Sequence, residues 1–215
     1  MLERLLPVAA ASSEAFADLP GTRLHPAERE LADTFSARRR AEFATVRDCA
    51  RGAGRLLGLA PFPLLPSPTG SPHWPRGVVG SLTHCPNYRA AAVARDTAVR
   101  ALGIDAEPHR PLPPGMLARI ALPAELRDQE TLRSADADVC WDRLLFCAKE
   151  AVYKVWSPLT GSWLGFHEAS VRLHAAPRTF TARLLRDSPA TVPTVLAGRW
   201  TADAGLLIAA VTVRP

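Results

Sequence analysis

Two long amphipathic patterns, one in each half of the chain, restrict the possible folds more than any other feature. Within residues 36–57, apolar side chains follow the helical period and form one stripe: Phe43, Val46, Ala50, Ala53 and Leu57. Within residues 138–156, the same period groups Trp141, Leu145, Ala148, Val152 and Val155. Spacings of three and four residues place side chains on one face of an α-helix. We therefore predict two long helices, the second ending at Ser157-Pro158.

Segments typical of β-strands follow each predicted helix. Three lie at residues 78–83, 88–95 and 98–107, and the last two form a predicted hairpin around Asp96-Thr97. Four more lie at 169–174, 180–185, 195–200 and 206–213. Four prolines between residues 108 and 114 separate the two groups. This order predicts an α+β protein with two similar halves, residues 1–108 and 109–215.

The charge balance indicates polyanionic or acidic partners, because the formal net charge is +5. No segment reaches the roughly 20 apolar residues needed to span a bilayer. The apolar start of the chain contains Glu3 and Pro7, which does not fit a secretory signal. The four cysteines contain no C-x-x-C pair and predict neither a disulfide framework nor a zinc site. We expect a cytoplasmic protein with free thiols.

Two acids of one predicted strand are candidate metal ligands. In the segment Gly103-Ile104-Asp105-Ala106-Glu107, the period of two places Asp105 and Glu107 on the same face. Neighbouring carboxylates repel unless a cation or a proton lies between them. Mg²⁺, which prefers oxygen ligands, is the simplest cation to predict. A solvated sheet edge with two unrelated acids is the alternative.

The second helix carries a polar arc of Arg143, Glu150 and Lys154. The only two lysines in the chain, Lys149 and Lys154, both lie on this helix. If this arc faced a cleft, Glu150 could be a third oxygen ligand or a base. The lysines could then bind phosphate oxygens as point charges. An ordinary solvated helix face with a Glu–Lys pair is the alternative. His84 after Thr83 could likewise contact a phosphate or a ribose, or be a core histidine.

Taken in order, these segments resemble the 4′-phosphopantetheinyl transferases of the larger, monomeric bacterial type. The most similar are actinobacterial enzymes that activate polyketide, mycolate and siderophore synthases. The resemblance spans about residues 36 to 167 and is carried by five stretches. They are Arg39–Phe43 with Val46–Arg51, Gly77–Cys85, Gly103–Pro108, Phe146–Lys154 and Trp163–Phe166.

The resemblance implies two pseudo-symmetric α/β halves, each a long helix on a small antiparallel sheet, with coenzyme A and Mg²⁺ in the cleft between them. By position, it implies Mg²⁺ ligands at Asp105, Glu107 and Glu150. It implies contacts to the adenosine and 3′-phosphate at Arg39, Arg47, Thr83 and His84. It implies contacts to the pyrophosphate at Lys149 and Lys154.

The implied reaction moves phosphopantetheine from coenzyme A to a serine of an acidic carrier protein and releases 3′,5′-ADP. Glu150 is the expected base, and Lys154 is expected to neutralise the departing phosphate. The chain departs from the family in the proline-rich loop before Gly80. Pro66 and Thr69 stand there where basic residues are expected, and Arg55 or Arg76 could compensate.

Two other functions use the same features. A nucleic-acid-binding protein could use Arg38, Arg39, Arg40 and the arginine-rich face of the first helix. The sequence shows no RNP-like, zinc-finger or helix-turn-helix pattern that would support this function. A phosphoesterase could use the same acids with water in place of serine.

Overall fold

The computed structural model describes residues 1–67 and 70–215 of the chain. It contains two antiparallel sheets, with strand orders β1-β3-β2 and β4-β8-β7-β6-β5. The strands are β1 (Ala10–Ala15), β2 (Val78–Cys85), β3 (Tyr88–Arg95), β4 (Ala101–Pro108), β5 (Ala169–His174), β6 (Thr179–Leu184), β7 (Val195–Asp203) and β8 (Leu206–Val213). The helices are α1 (Pro26–Asp33), α2 (Ala37–Leu56), α3 (Met116–Ile120), α4 (Pro123–Ala135) and α5 (Trp141–Thr160).

The first predicted helix is confirmed as α2, which packs on β1 and β3. The Ser36 hydroxyl accepts a hydrogen bond from the Arg39 amide and caps its amino end. The apolar stripe from Phe43 to Ala53 is buried. Arg47 and Arg51, on the arginine-rich face beside this stripe, are buried as well.

The second predicted helix is confirmed as α5, which packs on β4 and β8. Its stripe, which begins at Trp141, is buried together with Trp156. The predicted end at Ser157-Pro158 is wrong, since the helix continues through Pro158 to Thr160. It ends at Gly161, whose φ of 66° suits a glycine C-cap.

The four strands predicted in the second half are confirmed within a few residues. The hairpin predicted around Asp96-Thr97 is wrong. Strand β3 pairs with β1 and β2, whereas β4 pairs with β8 from the end of the chain. The actual hairpin joins β2 and β3 through Pro86-Asn87, where Asn87 has a φ of 60°. Strand β1 was not predicted, because its sequence, Ala-Ala-Ser-Ser-Glu-Ala, lacks β-branched residues.

The fold class is confirmed as α+β, with one 20-residue helix packed on each antiparallel sheet. Strands β2 and β4 are edge strands of different sheets and lie side by side. By its hydrogen bonds, β4 belongs to the five-stranded sheet. The division of the chain at residue 108 stays a prediction.

All four cysteines are free thiols. Among the described helices, none has both the length and the apolar character that a bilayer crossing needs.

Candidate active site

Asp105 lies where the two sheets meet, and its side chain is buried. Its Oδ1 accepts hydrogen bonds from Thr83 Oγ1 at 3.2 Å and from Lys154 Nζ at 2.7 Å. Within residues 1–67 and 70–215, its buried Oδ2 has no hydrogen-bond partner. An unpartnered buried carboxylate oxygen is costly, so this atom is a candidate ligand for a cation.

Glu107 follows two residues along β4 and is half-buried. Arg143 of α5 donates from Nη1 to Glu107 Oε2 at 2.7 Å. Arg143 also donates to the carbonyl oxygens of Arg110 and Pro111, so it links the proline-rich segment 108–114 to α5. Burial and the charge of Asp105 raise the pKa of Glu107, and Arg143 opposes that rise.

Glu150 of α5 is half-buried and close enough to Asp105 and Glu107 to interact with them electrostatically. Burial and then the Asp105 charge raise its pKa. In residues 1–67 and 70–215 its carboxylate has neither a hydrogen bond nor an ion pair. Over the same residues, no three Asp, Glu, His or Cys side chains form a closed metal-binding group. Asp105 and Glu107 are instead each paired with a cation.

Lys154 joins the acids to the neighbouring cavity. Its ammonium group donates to Asp105 Oδ1 and to the carbonyl oxygen of Ile104, the latter at 2.9 Å. The side chain also lines the cavity and is only partly buried. Because Lys154 lies between the acids and the cavity, its ammonium group can donate either to a carboxylate or to a phosphate oxygen from the same position.

The cavity has a volume of about 430 Å³ and lies between α2, β2 and α5. Its wall is mainly apolar, with Phe35, Phe43, Leu82, Tyr153 and Pro158 among the lining residues. Pro66, from the loop expected to carry basic residues, lines it too, whereas Arg55 and Arg76 are absent from the described wall. Thr69 lies outside the described residues.

Two predicted ligand contacts meet in the wall of this cavity. Arg39 Nη1 lies 2.8 Å from Nε2 of His84, and both side chains line the wall. The His84 ring is exposed to the cavity, but the protein atoms around the ring remove part of its hydration. This desolvation and the Arg39 charge lower the pKa of His84, which favours the neutral imidazole.

Arg47 also lines the cavity but is largely committed to the fold. Its guanidinium lies 3.2 Å from the centre of the Phe43 ring, and Nε donates to the Leu64 carbonyl oxygen at 3.0 Å. Burial lowers its pKa to about 10, so the group remains charged at neutral pH.

Lys149 lies apart from the acids and from its predicted pyrophosphate contact. Its ammonium group is buried and points away from the acids, toward Glu125 of α4 at 2.9 Å. It also donates to the carbonyl oxygens of Phe166 and Ala169 at 2.6 and 2.7 Å. All three ammonium hydrogens therefore have acceptors, and none is left for a pyrophosphate.

Thr83 also lies apart from the predicted ligand contact, because its buried side chain sits between β2 and β4. Its hydroxyl accepts from the Ala106 amide at 3.0 Å and donates to Asp105. It is not among the described residues that line the cavity. Both of its polar contacts serve the joint between the two sheets.

Sequence reasoning left Arg143 and Glu125 without roles. The position of Arg143 on the arc of Glu150 and Lys154 was the available signal. Glu125 gave none, because its partner lies 24 residues away on another helix. The arginines proposed for nucleic acid are also engaged in the structure. Arg38 pairs with Glu42 and Arg40 with Asp33.

Sequence comparisons match regions of both sheets to known proteins. A model of the 4′-phosphopantetheinyl transferase N-terminal domain matches residues 27–94, and one of the 4′-phosphopantetheinyl transferase superfamily matches residues 101–206. The 4′-phosphopantetheinyl transferase Svp of Streptomyces mobaraensis is 48% identical, over 99% of this chain and 89% of its own length. The 4′-phosphopantetheinyl transferase PptT of Mycobacterium tuberculosis is 47% identical, over 94% and 92%.

A third relative, the 4′-phosphopantetheinyl transferase Npt of Nocardia iowensis, is 48% identical over 80% of this chain and 76% of its own length. Residues 95–100 separate the two matched regions and lie directly before the strand that carries Asp105. The resemblance seen in the sequence is thus confirmed, and the chain belongs to the 4′-phosphopantetheinyl transferase family.

Proposed function

We propose that this chain transfers the 4′-phosphopantetheine group of coenzyme A to a serine of an apo acyl- or peptidyl-carrier protein and releases 3′,5′-ADP. Transfer from coenzyme A to carrier proteins is the activity of the family. The observation that supports the proposal most is the position of Lys154. It links an apolar, arginine-rimmed cavity to a group of three acids.

The cavity suits the nucleotide end of coenzyme A. Phe35 offers aromatic surface for a base, and Arg39 beside His84 offers hydrogen-bond donors and positive charge for a phosphate. Arg47 contributes charge to the wall, although its Nε is held by Leu64. Lys154 then lies where the phosphates leave the cavity toward the acids.

Carboxylate oxygens are the ligands that Mg²⁺ prefers, and we assign Mg²⁺ to Asp105, Glu107 and Glu150, which would have to move closer together to bind it. Asp105 Oδ2 is a buried oxygen without a partner, and the Glu150 carboxylate is unpaired within the described chain. Mg²⁺ there would neutralise charge that develops on the phosphate oxygens. Ligation by Glu107 requires its contact with Arg143 to loosen or to be shared.

Glu150 is the proposed base for the incoming serine. In the metal-free protein, burial and Asp105 raise the pKa of Glu150, so its carboxylate holds a proton more readily than an exposed glutamate does. Lys154, one helical turn further along α5, stabilises the departing 3′,5′-ADP through its ammonium group. Neither step needs a nucleophile from the enzyme.

The proposed partners are acidic carrier proteins, since a chain of net charge +5 attracts them. Because one chain supplies the cavity and all three acids, we propose that it acts as a monomer. We also propose that it works in the cytoplasm. Light scattering of the purified protein tests the oligomeric state.

Mass spectrometry of an apo-carrier protein, incubated with coenzyme A and Mg²⁺, tests the transfer. The carrier should gain one phosphopantetheine group. Asp105→Asn and Glu150→Gln should each lower the rate by at least about 100-fold. Glu130→Gln, at an exposed acid of α4, is the matched control and should keep the full rate.

Two outcomes would contradict the proposal. One is the absence of any mass gain over a panel of acyl- and peptidyl-carriers. The other is release of 3′,5′-ADP from coenzyme A at an equal rate without carrier, which would indicate a phosphoesterase.

A further inference from the structure

The two sheets are joined by side-chain hydroxyls at the place where their edge strands meet. Amides of β4 that face away from β8 would pair with main-chain carbonyls in a continuous sheet. Here the Ile104 amide donates to Ser81 Oγ and the Ala106 amide to Thr83 Oγ1, both at 3.0 Å. We call these two bonds between β2 and β4 the hydroxyl seam.

Ser81 and Thr83 make the same bond to β4 but differ in a second contact. The Thr83 oxygen accepts from the Ala106 amide, so its own hydrogen is free to point elsewhere. It points to Asp105 Oδ1, at 3.2 Å between two buried residues. No corresponding contact joins Ser81 to a site acid in the described chain.

Thr83 and Lys154 together decide which oxygen of Asp105 is free. Both donate to Oδ1, while Oδ2 has no hydrogen-bond partner in the part of the chain that the structure describes. Rotation of the carboxylate would break both contacts at once, and a buried hydroxyl would lose its acceptor. The main chain of β4 therefore fixes the Thr83 hydroxyl, and that hydroxyl fixes the Asp105 carboxylate.

We propose that Thr83 is a positioning residue, which holds Asp105 so that Oδ2 remains available to the metal ion. This inference rests on the proposed metal role of Asp105. It replaces the contact with coenzyme A that the sequence suggested, because Thr83 does not line the described cavity. Partners of this kind typically change metal affinity by about 10- to 100-fold when they are removed.

Mn²⁺ binding to the full chain, measured by electron paramagnetic resonance of the free ion, tests the role of Thr83. Thr83→Val keeps the shape and removes the hydroxyl, so it should weaken Mn²⁺ binding by about 10-fold or more. Thr83→Ser keeps the hydroxyl and should restore the affinity. Ser81→Ala removes the other bond of the hydroxyl seam and should leave Mn²⁺ affinity unchanged.

Coenzyme A affinity in the presence of EDTA is the second measurement, and Thr83→Val should not alter it. A variant that was only unstable would lose both affinities. If Thr83→Val does not fold, Thr83→Cys, whose thiol is a weaker donor, takes its place and should also weaken Mn²⁺ binding.

Asp105→Asn separates failure of this inference from failure of the proposed function. If it binds Mn²⁺ like the parent, the metal role of Asp105 is wrong. If it loses Mn²⁺ while Thr83→Val, or Thr83→Cys in its place, binds normally, the positioning role of Thr83 is wrong. An equal loss of Mn²⁺ affinity in Ser81→Ala would also overturn it, because the seam alone would then explain the effect.

Discussion

Helix α5 crosses strand β4 closely at Gly103. A Cβ atom at this position would overlap the carbonyl oxygen of Ala151 and lie 2.9 Å from Val155 Cγ2. The main-chain nitrogen of Val155 would be 3.1 Å away. Because two of these three atoms belong to the helix backbone, rotation of a side chain cannot relieve the overlap. The substitution Gly103→Ala therefore has to move α5 itself.

The size of the effect follows from that overlap. A shift of about 1 Å in α5 carries Glu150 and Lys154 away from Asp105, and a displacement of this size costs about 100-fold in turnover. Overpacking costs about 1–3 kcal/mol in the free energy of unfolding. For a chain of this length, that loss lowers the melting temperature by about 3–9 °C.

Gly198→Ala is the matched control, because a Cβ there would overlap the ring of the facing Phe180, which packs in the core away from the acids. Both variants should melt earlier than the parent, as measured by calorimetry. Only Gly103→Ala should lose turnover in the carrier assay, well below both melting temperatures. Full turnover in Gly103→Ala, or an equal loss in Gly198→Ala, would refute this reasoning.

Three further predictions concern charged groups. Lys154→Gln removes a positive charge beside Asp105, so it should raise Mn²⁺ affinity without coenzyme A by about 10-fold while lowering turnover; weaker Mn²⁺ binding would contradict it. Lys149→Met leaves the buried Glu125 carboxylate unpaired and should cost about 3–5 kcal/mol in urea unfolding, with Glu125→Gln recovering part of this loss; an unchanged midpoint would contradict it. The pKa of His84 is lowered in the folded protein, so the unfolded chain binds a proton more readily and stability falls as the pH drops below about 6.5. His84→Asn should reduce this loss of stability in thermal melts. An identical pH dependence of the melting temperature would contradict the prediction.

The sequence was sufficient for features that depend on local periodicity. Both 20-residue helices follow from their apolar stripes, and the placement of Asp105 and Glu107 on one strand follows from a period of two. The family resemblance then implied that Glu150 supplies a third carboxylate and that Lys154 contacts the pyrophosphate of the same ligand. The electrostatic interaction of Glu150 with both acids is consistent with that expectation.

Features that depend on distant parts of the chain could not be predicted. Strand β4 pairs with β8, about 100 residues later, whereas local patterns suggested a hairpin with the preceding strand. Lys149 and Lys154 were both expected to contact the pyrophosphate. Lys149 instead lies on another face of α5, where it pairs with the buried Glu125 of α4. The hydroxyl of Thr83 gave no sign that it serves the joint rather than the cavity.

The hydroxyl seam has a consequence for how such a chain tolerates change. Main-chain bonds within a sheet form with almost any amino acid, so a continuous sheet would survive substitution along its length. A joint made by Ser81 and Thr83 is instead encoded in two side chains, and a single codon change can open it. Because Asp105 lies at this joint, substitutions of Thr83, which does not line the described cavity, can alter catalysis by changing how the two sheets are held together. Directed evolution of this protein should therefore find rate-altering substitutions at this joint as well as in the cavity wall.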